Sequence, residues 1–259
     1  MVAEMVAALP AMTPGRVRRA YVIEAKYECL RMLRAPAFAV PFLLLPAGLY
    51  VMFGALLFGS AMAKDPKAAA FMFMGFSIMG VMGPGMFGFG ITVATEREHG
   101  LLQLKRALPM PPAASLLGKM LMAMLFVTIV MASMAVVAPL GHLQLPAAPM
   151  LSFSLVCILG SAPFCALGFF IGSLASAKSA PAFVNLLCLP MIYLSGILFP
   201  LPKSAEWIAY LSPAYHLDQA ALAVIGAPGS GGLLLHMAVL AAVTVGCTAL
   251  AVRRLARHG

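Results

Sequence analysis

The sequence predicts an all-α membrane protein of six transmembrane helices. Three observations predict it: composition, the length of the uncharged stretches, and the placement of basic residues. Of 259 residues, 63% are hydrophobic and 10% are charged, where an ordinary globular chain has about a quarter charged. Mean hydropathy is +0.99, so lipid is the solvent that most side chains must meet. Stretches free of Asp, Glu, Lys and Arg run over 35–63, 68–95, 120–177, 179–202 and 219–252, and about 20 apolar residues suffice to cross a bilayer. The third stretch is long enough for two spans, with Pro139–Pro146 as the turn between them. Spans are therefore predicted near 37–59, 71–94, 115–139, 151–174, 180–199 and 232–252.

The net charge of +9 is explained by topology and does not call for nucleic acid. If six spans alternate, 14 of the 17 Lys and Arg residues fall on one side and only Lys64, Lys67 and Lys203 on the other. The positive-inside rule makes the rich side cytoplasmic, together with both termini, and five or seven spans would scramble the asymmetry. The chain then divides into a cytoplasmic segment 1–34, a transmembrane domain 35–252 and a basic cytoplasmic tail 253–259.

Taken in order, Met1–Met12 carries Glu4 and Pro10 and no basic residue, which argues against a cleaved signal peptide. Residues 16–34 read as a charged amphipathic helix along the membrane surface. Val22, Cys29 and Leu33 share one face, and Glu24, Glu28 and Arg31 share another. That polar face is expected either to be solvated or to dock a soluble partner. The second span is dense in Gly and Phe, with Pro84-Gly85 in its middle. Backbone breaks at membrane depth are tolerated where the helix is packed or faces a cavity, so this span is expected in the interior. Gly168 and Gly172 form a GxxxG match, a pattern common by chance in such composition. The five cysteines show neither a disulfide framework nor metal-ligand spacing.

The loop after the second span carries Thr95-Glu-Arg-Glu-His-Gly100 and then Leu101, Leu104 and Leu108 at i, i+3, i+7, before Pro109, Pro111 and Pro112. Thr95 with Glu98 fits a capping box, and the leucines give a short amphipathic helix shaped to press on another protein. The fifth span ends in Tyr193-Leu-Ser195-Gly196-Ile-Leu-Phe199-Pro200, where glycine and proline break the helix. Trp207, Tyr210 and Tyr215 follow in a stretch too polar to span, which reads as an interfacial hairpin. A glycine-rich linker from Gly226 to Gly232 leads to the last span.

Three of these pieces, Glu96-Arg-Glu-His-Gly-Leu-Leu with the later Gly118-Lys119, then Leu194-Ser-Gly-Ile-Leu-Phe-Pro200, then Leu211-Ser-Pro213, resemble the permease subunits of type-2 ATP-binding-cassette exporters. The resemblance covers nearly the whole chain. It implies that Glu24, Glu28 and Arg31 lie on a connecting helix. Glu96, Arg97, Glu98, Gly100, Leu101, Leu104 and Leu108 would form the coupling segment between spans two and three, with Glu96 and Glu98 pairing with bases of a cytoplasmic ATPase. Ser195 to Pro213 would be an external re-entrant hairpin. Phe76, Phe87, Tyr193, Ser195, Gly196, Phe199 and Pro200 would line the substrate path and exit. Implied partners are two ATPase subunits, a second permease copy or a sister permease, and membrane lipid, with no nucleic acid, in a bacterial inner membrane.

Function follows from what is missing as well. No Gly-x-x-x-x-Gly-Lys-Ser/Thr loop occurs, so ATP and Mg are expected on the partner and no cofactor or metal on this chain. A membrane-embedded enzyme would need paired intramembrane aspartates, a zinc site or a serine with a histidine. Asp65 and Asp218 read as lying outside the core, and His236 as a lone packed residue. An ion-coupled transporter usually carries charge inside its spans, and none is read there. The expected activity is export of a drug-like or lipid-like amphiphile, with a polysaccharide or glycolipid as the alternative cargo.

Overall fold

The computed structural model describes residues 13–107, 111–143, 145–226 and 232–258. The first twelve residues, Leu108, Pro109 and most of the glycine-rich linker lie outside the described part. The described residues form an all-α bundle. Helix α1 is Pro14–Leu33. Helix α2, Pro36–Tyr50, continues into a π-helical segment, Val51–Leu57. The second span is α3, Pro66–Gly83, a π turn, Pro84–Gly88, and α4, Phe89–Glu98. Helix α5 is Leu101–Ala107, and α6, Pro112–Val137, is the third span. The fourth span is α7, Ala147–Leu159, with α8, Ala162–Leu174. Helix α9 is Ala180–Leu194, α10 is Pro213–Val224 and α11 is Leu233–His258.

Prolines start many of these helices: Pro14, Pro36, Pro66 and Pro213 occupy the first turn, where the missing N–H costs nothing. Among the described residues, five helical stretches are long and apolar enough to cross a membrane: Pro36–Leu57, Pro66–Glu98, Ala113–Gly141, Ala147–Leu174 and Leu233–Arg257. Helix α9 has 15 residues, about 22 Å at 1.5 Å per residue, so the predicted 180–199 span ends early. Its stop is Gly196, at φ +74°, a left-handed backbone conformation that glycine adopts freely.

The second span is the most enclosed, with 72% of its apolar window buried against 22% for the first and 11% for the last. The predicted interior placement holds for a physical reason. Its backbone swerves through the π turn at Pro84, a usual site of helix deformation, and small residues let the fourth span close on it. A Cβ on Gly168 would lie 2.7 Å from the Gly85 and Met86 carbonyl oxygens. One on Gly172 would lie 2.5 Å from the Gly90 carbonyl. The GxxxG pair is therefore a real helix contact. Gly75 plays the same part for the turn after α9, since its Cβ would lie 2.2 Å from the Ile197 carbonyl.

The fourth span bends at Gly160-Ser161, where Leu217 of α10 fills the space that a side chain on Gly160 would need. A hairpin of short turns, the one-turn helix Glu206–Ala209 and α10 thus packs down onto α7, α3 and α11. Asp218, read as outside the core, is largely enclosed there: burial pushes its carboxyl up to about 7, against a lowering contribution from Gln219.

Substituting Gly172→Ala forces a methyl into a backbone carbonyl that cannot rotate away. A loss of about 1–3 kcal/mol is expected, read as a lowered thermal unfolding midpoint in detergent. Gly246→Ala, in α11 with nothing within 4 Å, is expected to be neutral or stabilising by about 0.5–1 kcal/mol.

Candidate functional site: a buried charge cluster

Helix α1, the end of α4, α5 and the start of α6 converge at one end of the bundle on six charged side chains. Lys119 of α6 is 1% exposed, Glu96 of α4 2% and Glu28 of α1 4%. The Lys119 ammonium donates to Glu96 Oε1 at 2.8 Å and to Glu28 Oε1. Arg31 bridges the same two carboxylates from outside, Nη1 to Glu96 Oε1 at 2.9 Å and Nη2 to Glu28 Oε2 at 2.6 Å. Lys105 of α5 donates to Glu24 Oε1 at 2.7 Å, Ser115 Oγ at 3.1 Å and Glu28 Oε1 at 3.3 Å. Three acids meet three bases, so the cluster is neutral.

Burial by itself would pull the Lys105 ammonium down; the hydrogen bond to Glu24 and the charges of Glu96, Glu28 and Glu24 outweigh it and hold it above the ordinary lysine value. Gly118 makes the approach possible. A Cβ there would sit 3.3 Å from the Ala25 nitrogen and the Glu24 backbone, so its absence lets α1 press against α6 and seal Lys119 from water.

The polar face of α1, expected to be solvated or to dock a soluble partner, packs inside the chain. Glu28 and Met32 are the buried residues of α1, while Val22 and Leu33 are exposed. The polar face turns inward because Lys119 and Lys105 are there to meet it. Glu96, read as a docking carboxylate, is consumed inside the chain for the same reason. The capping box is also absent: Thr95 lies within α4, and its hydroxyl donates to the Ile91 carbonyl at 2.8 Å.

Beside the cluster, Arg97 donates to the Ser173 carbonyl and, at 2.7 Å, to that of Ala175. Arg254 of α11 reaches Ser173 O at 3.3 Å. Both satisfy carbonyls left open at the end of α8 and place positive charge against its C-terminal dipole. Glu98 is exposed and accepts from the Ala177 N–H at 2.6 Å, tying the second span to the loop after the fourth. Gly100, at φ +71°, turns the chain into α5, where Leu101 and Leu104 point outward at 42% and 60% exposure. Beneath α5 lies an apolar cavity of about 190 Å³ between Val93, Leu102, Leu116, Phe169 and Leu255, with Lys105 and Lys119 along its wall.

The residues read as substrate path do not form one site. Phe76 is buried in the core and stacks on Phe53 at 5.9 Å. Phe87 is half-buried against Phe42 at 5.3 Å. Tyr193 and Phe199 are exposed and stack in parallel at 6.0 Å. Ser195 is buried and donates to the Ile192 carbonyl at 3.0 Å, and Pro200 is exposed. Lys119 and Lys105 are the functional candidates that sequence reasoning missed, because each read as one more cytoplasmic base. The signal available was the glycine directly before Lys119.

A helical bundle with five stretches long and apolar enough to cross a membrane among its described residues, with the ends of several of them tied together by charge, is a multi-pass membrane protein. The chain belongs to the ABC-2 type transporter family, whose model matches residues 19–225. It is also similar to the Bacillus subtilis (strain 168) protein named "Putative transport permease YvfS", at 24% identity over 223 residues, covering 82% of this chain and 89% of that protein.

Removing Lys119 should expose what the cluster is worth. In Lys119→Met, Glu28 and Glu96 face each other with one fewer cation, and a loss of about 3–5 kcal/mol is expected. The double variant Lys119→Met/Glu96→Gln should recover part of it, the non-additivity expected of contacting groups. Thermal unfolding of the purified variants in detergent measures both.

Proposed function

We propose that this chain is the permease of an ATP-driven exporter in a bacterial inner membrane, moving an amphiphilic cargo outward. It has six spans in this reading, the short α9 serving as the fifth, with both termini cytoplasmic. Two separate ATPase subunits bind ATP and Mg on the cytoplasmic side, and a second copy or a sister permease completes the pathway.

The single observation that carries the reading is the charge cluster. It ties α1, the end of the second span, α5 and the start of the third span to shared carboxylate oxygens. A push on α5 or α1 therefore moves the second span with it. Leu101 and Leu104, exposed on α5, offer the ATPase an apolar contact, and the cavity beneath gives α5 room to shift. Motion then passes along the second span to the turn after α9 through the close contact of Gly75 with Ile197. Tyr193 and Phe199 stand exposed at that end, where a second copy would face them. The second span is rich in Phe, Met and small residues, which favours an amphiphile over a polysaccharide.

Leu104→Asp changes an exposed side chain with no packing role, so the variant should fold and insert normally. With the ATPase co-expressed, it is expected to lose co-purification and ATP-dependent transport in proteoliposomes. Glu98→Lys should leave ATP hydrolysis in place and uncouple it from transport. Unchanged coupled transport in both variants, or transport by this chain with no ATPase present, would overturn the reading.

A further inference from the structure

His216 of α10 and His236 of α11 meet Nδ1 to Nδ1 at 2.8 Å, both buried, at 4% and 3% exposure. His236 is thus not a lone residue. It precedes Leu255, which lines the cavity beside Lys119, by 19 positions on one helix, about 28 Å. The pair therefore sits at the end of the bundle opposite the charge cluster.

Hydrogen-bond logic assigns the protons. His216 Nε2 lies 3.0 Å from the Tyr210 carbonyl, which can only accept, so this nitrogen carries its hydrogen. A neutral His216 then has a bare Nδ1, and His236 Nδ1–H donates to it. His236 Nε2 is left as a buried acceptor with no hydrogen-bond partner. Neither imidazole has a good place for another proton. On His216 Nδ1 it would make that ring a buried imidazolium, which can donate to His236 only if His236 moves its own hydrogen to the unpartnered Nε2. On His236 Nε2 it would leave a buried cation, and among the described residues no carboxylate bonds to either ring.

The surroundings offer no counter-charge. Helix α10 packs on α11, α7, α3 and α9, and α11 packs on α8. Besides the pair itself, α7 contributes the Cys157 thiol, α8 the Cys165 thiol and α9 the Cys188 thiol, all buried. Lys67 of α3 and Tyr193 of α9 are exposed. In the hairpin, Tyr215 lies edge-on to both imidazoles, Tyr210 packs on Tyr215, and Glu206 and Lys203 are exposed. Asp218 lies two residues on from His216, and its charge is felt at Cys157 of α7.

We propose that the His216–His236 pair is a proton-sensitive latch that holds the hairpin helix α10 on the last span at neutral pH and releases it in acid. In the packed form an added proton would sit as a buried imidazolium with no carboxylate bonded to it among the described residues. Separated into water, each imidazole takes up a proton near pH 6.5. The separated form then holds more protons, and acid favours it. Asp218 works with the opposite sign. With its carboxyl raised to about 7 in the packed form and about 3.9 in water, it holds a proton when packed, so acid favours packing. The direction of the response therefore identifies the group.

Deuterium uptake of residues 213–224, in the full chain held in lipid nanodiscs and corrected for the pH dependence of intrinsic exchange, tests this. From pH 8 to 5, protection of α10 should fall below about pH 6.5, by up to tenfold per pH unit for each imidazole that gains a proton. The double variant His216→Gln/His236→Asn should lose the fall, and Asp218→Asn should keep it. Should the double variant not fold, His236→Asn alone serves: its amide still donates to His216, and the slope should halve. A flat wild-type profile, protection that rises in acid, a fall unchanged without the imidazoles, or a fall lost in Asp218→Asn would each overturn the latch.

Discussion

Lys119 brings a full positive charge into the first turns of a transmembrane helix, where an unpaired ammonium would be costly to keep. Everything at that end of the bundle is arranged so that it is never unpaired. Glu96 must come from the end of the second span and Glu28 from α1, and both must arrive together because one oxygen from each contacts the same nitrogen. That requirement sets where α1 lies, which face it turns inward, and how α4 leaves the membrane. Arg31 then neutralises the second acid, and Lys105, paired with Glu24, extends the constraint to α5. Buried ion pairs contribute little net stability compared with apolar packing, but breaking one is expensive. The cluster is therefore better understood as a specification of geometry than as a source of stability.

The opposite end of the molecule is held by different means. Close backbone contacts at Gly75 and Gly160 seat the turn after α9 and the hairpin helix α10 on the bundle, and the histidine pair joins α10 to the last span. Between the two ends the second span runs as an enclosed rod, gripped by the fourth span through Gly85, Gly90, Gly168 and Gly172. A rod gripped along its length and tied by charge at one end transmits displacement better than it absorbs it. This is the mechanical property a permease driven from outside the membrane needs, and the family assignment and the proposed coupling to ATPase subunits are consistent with it.

Some of this was legible from residue order. The uncharged stretches overlap the five long apolar helices found among the described residues, because a bilayer demands a minimum run of apolar side chains and tolerates little else. The glycine and phenylalanine content of the second span marked it as interior, and Gly196 marked the end of α9. Most of the failures have a common cause. Thr95 and Glu98 fitted a capping pattern, yet the helix had begun at Phe89. Glu96 looked like a surface carboxylate, the polar face of α1 looked either solvated or ready to dock a soluble partner, and His236 looked solitary. For Glu96, the polar face of α1 and His236 the deciding partner lies 20 to 91 positions away in the chain, and local patterns hold no information about it.

The sequence by itself determined the solvent, the all-α class and much of the punctuation between helices, since these depend on composition and local chemistry alone. Only the tertiary structure decided which charges are buried. Whether Lys119 is a snorkelling base or the centre of a sealed cluster depends on α1 approaching over Gly118, and that approach depends on helices brought together from across the chain.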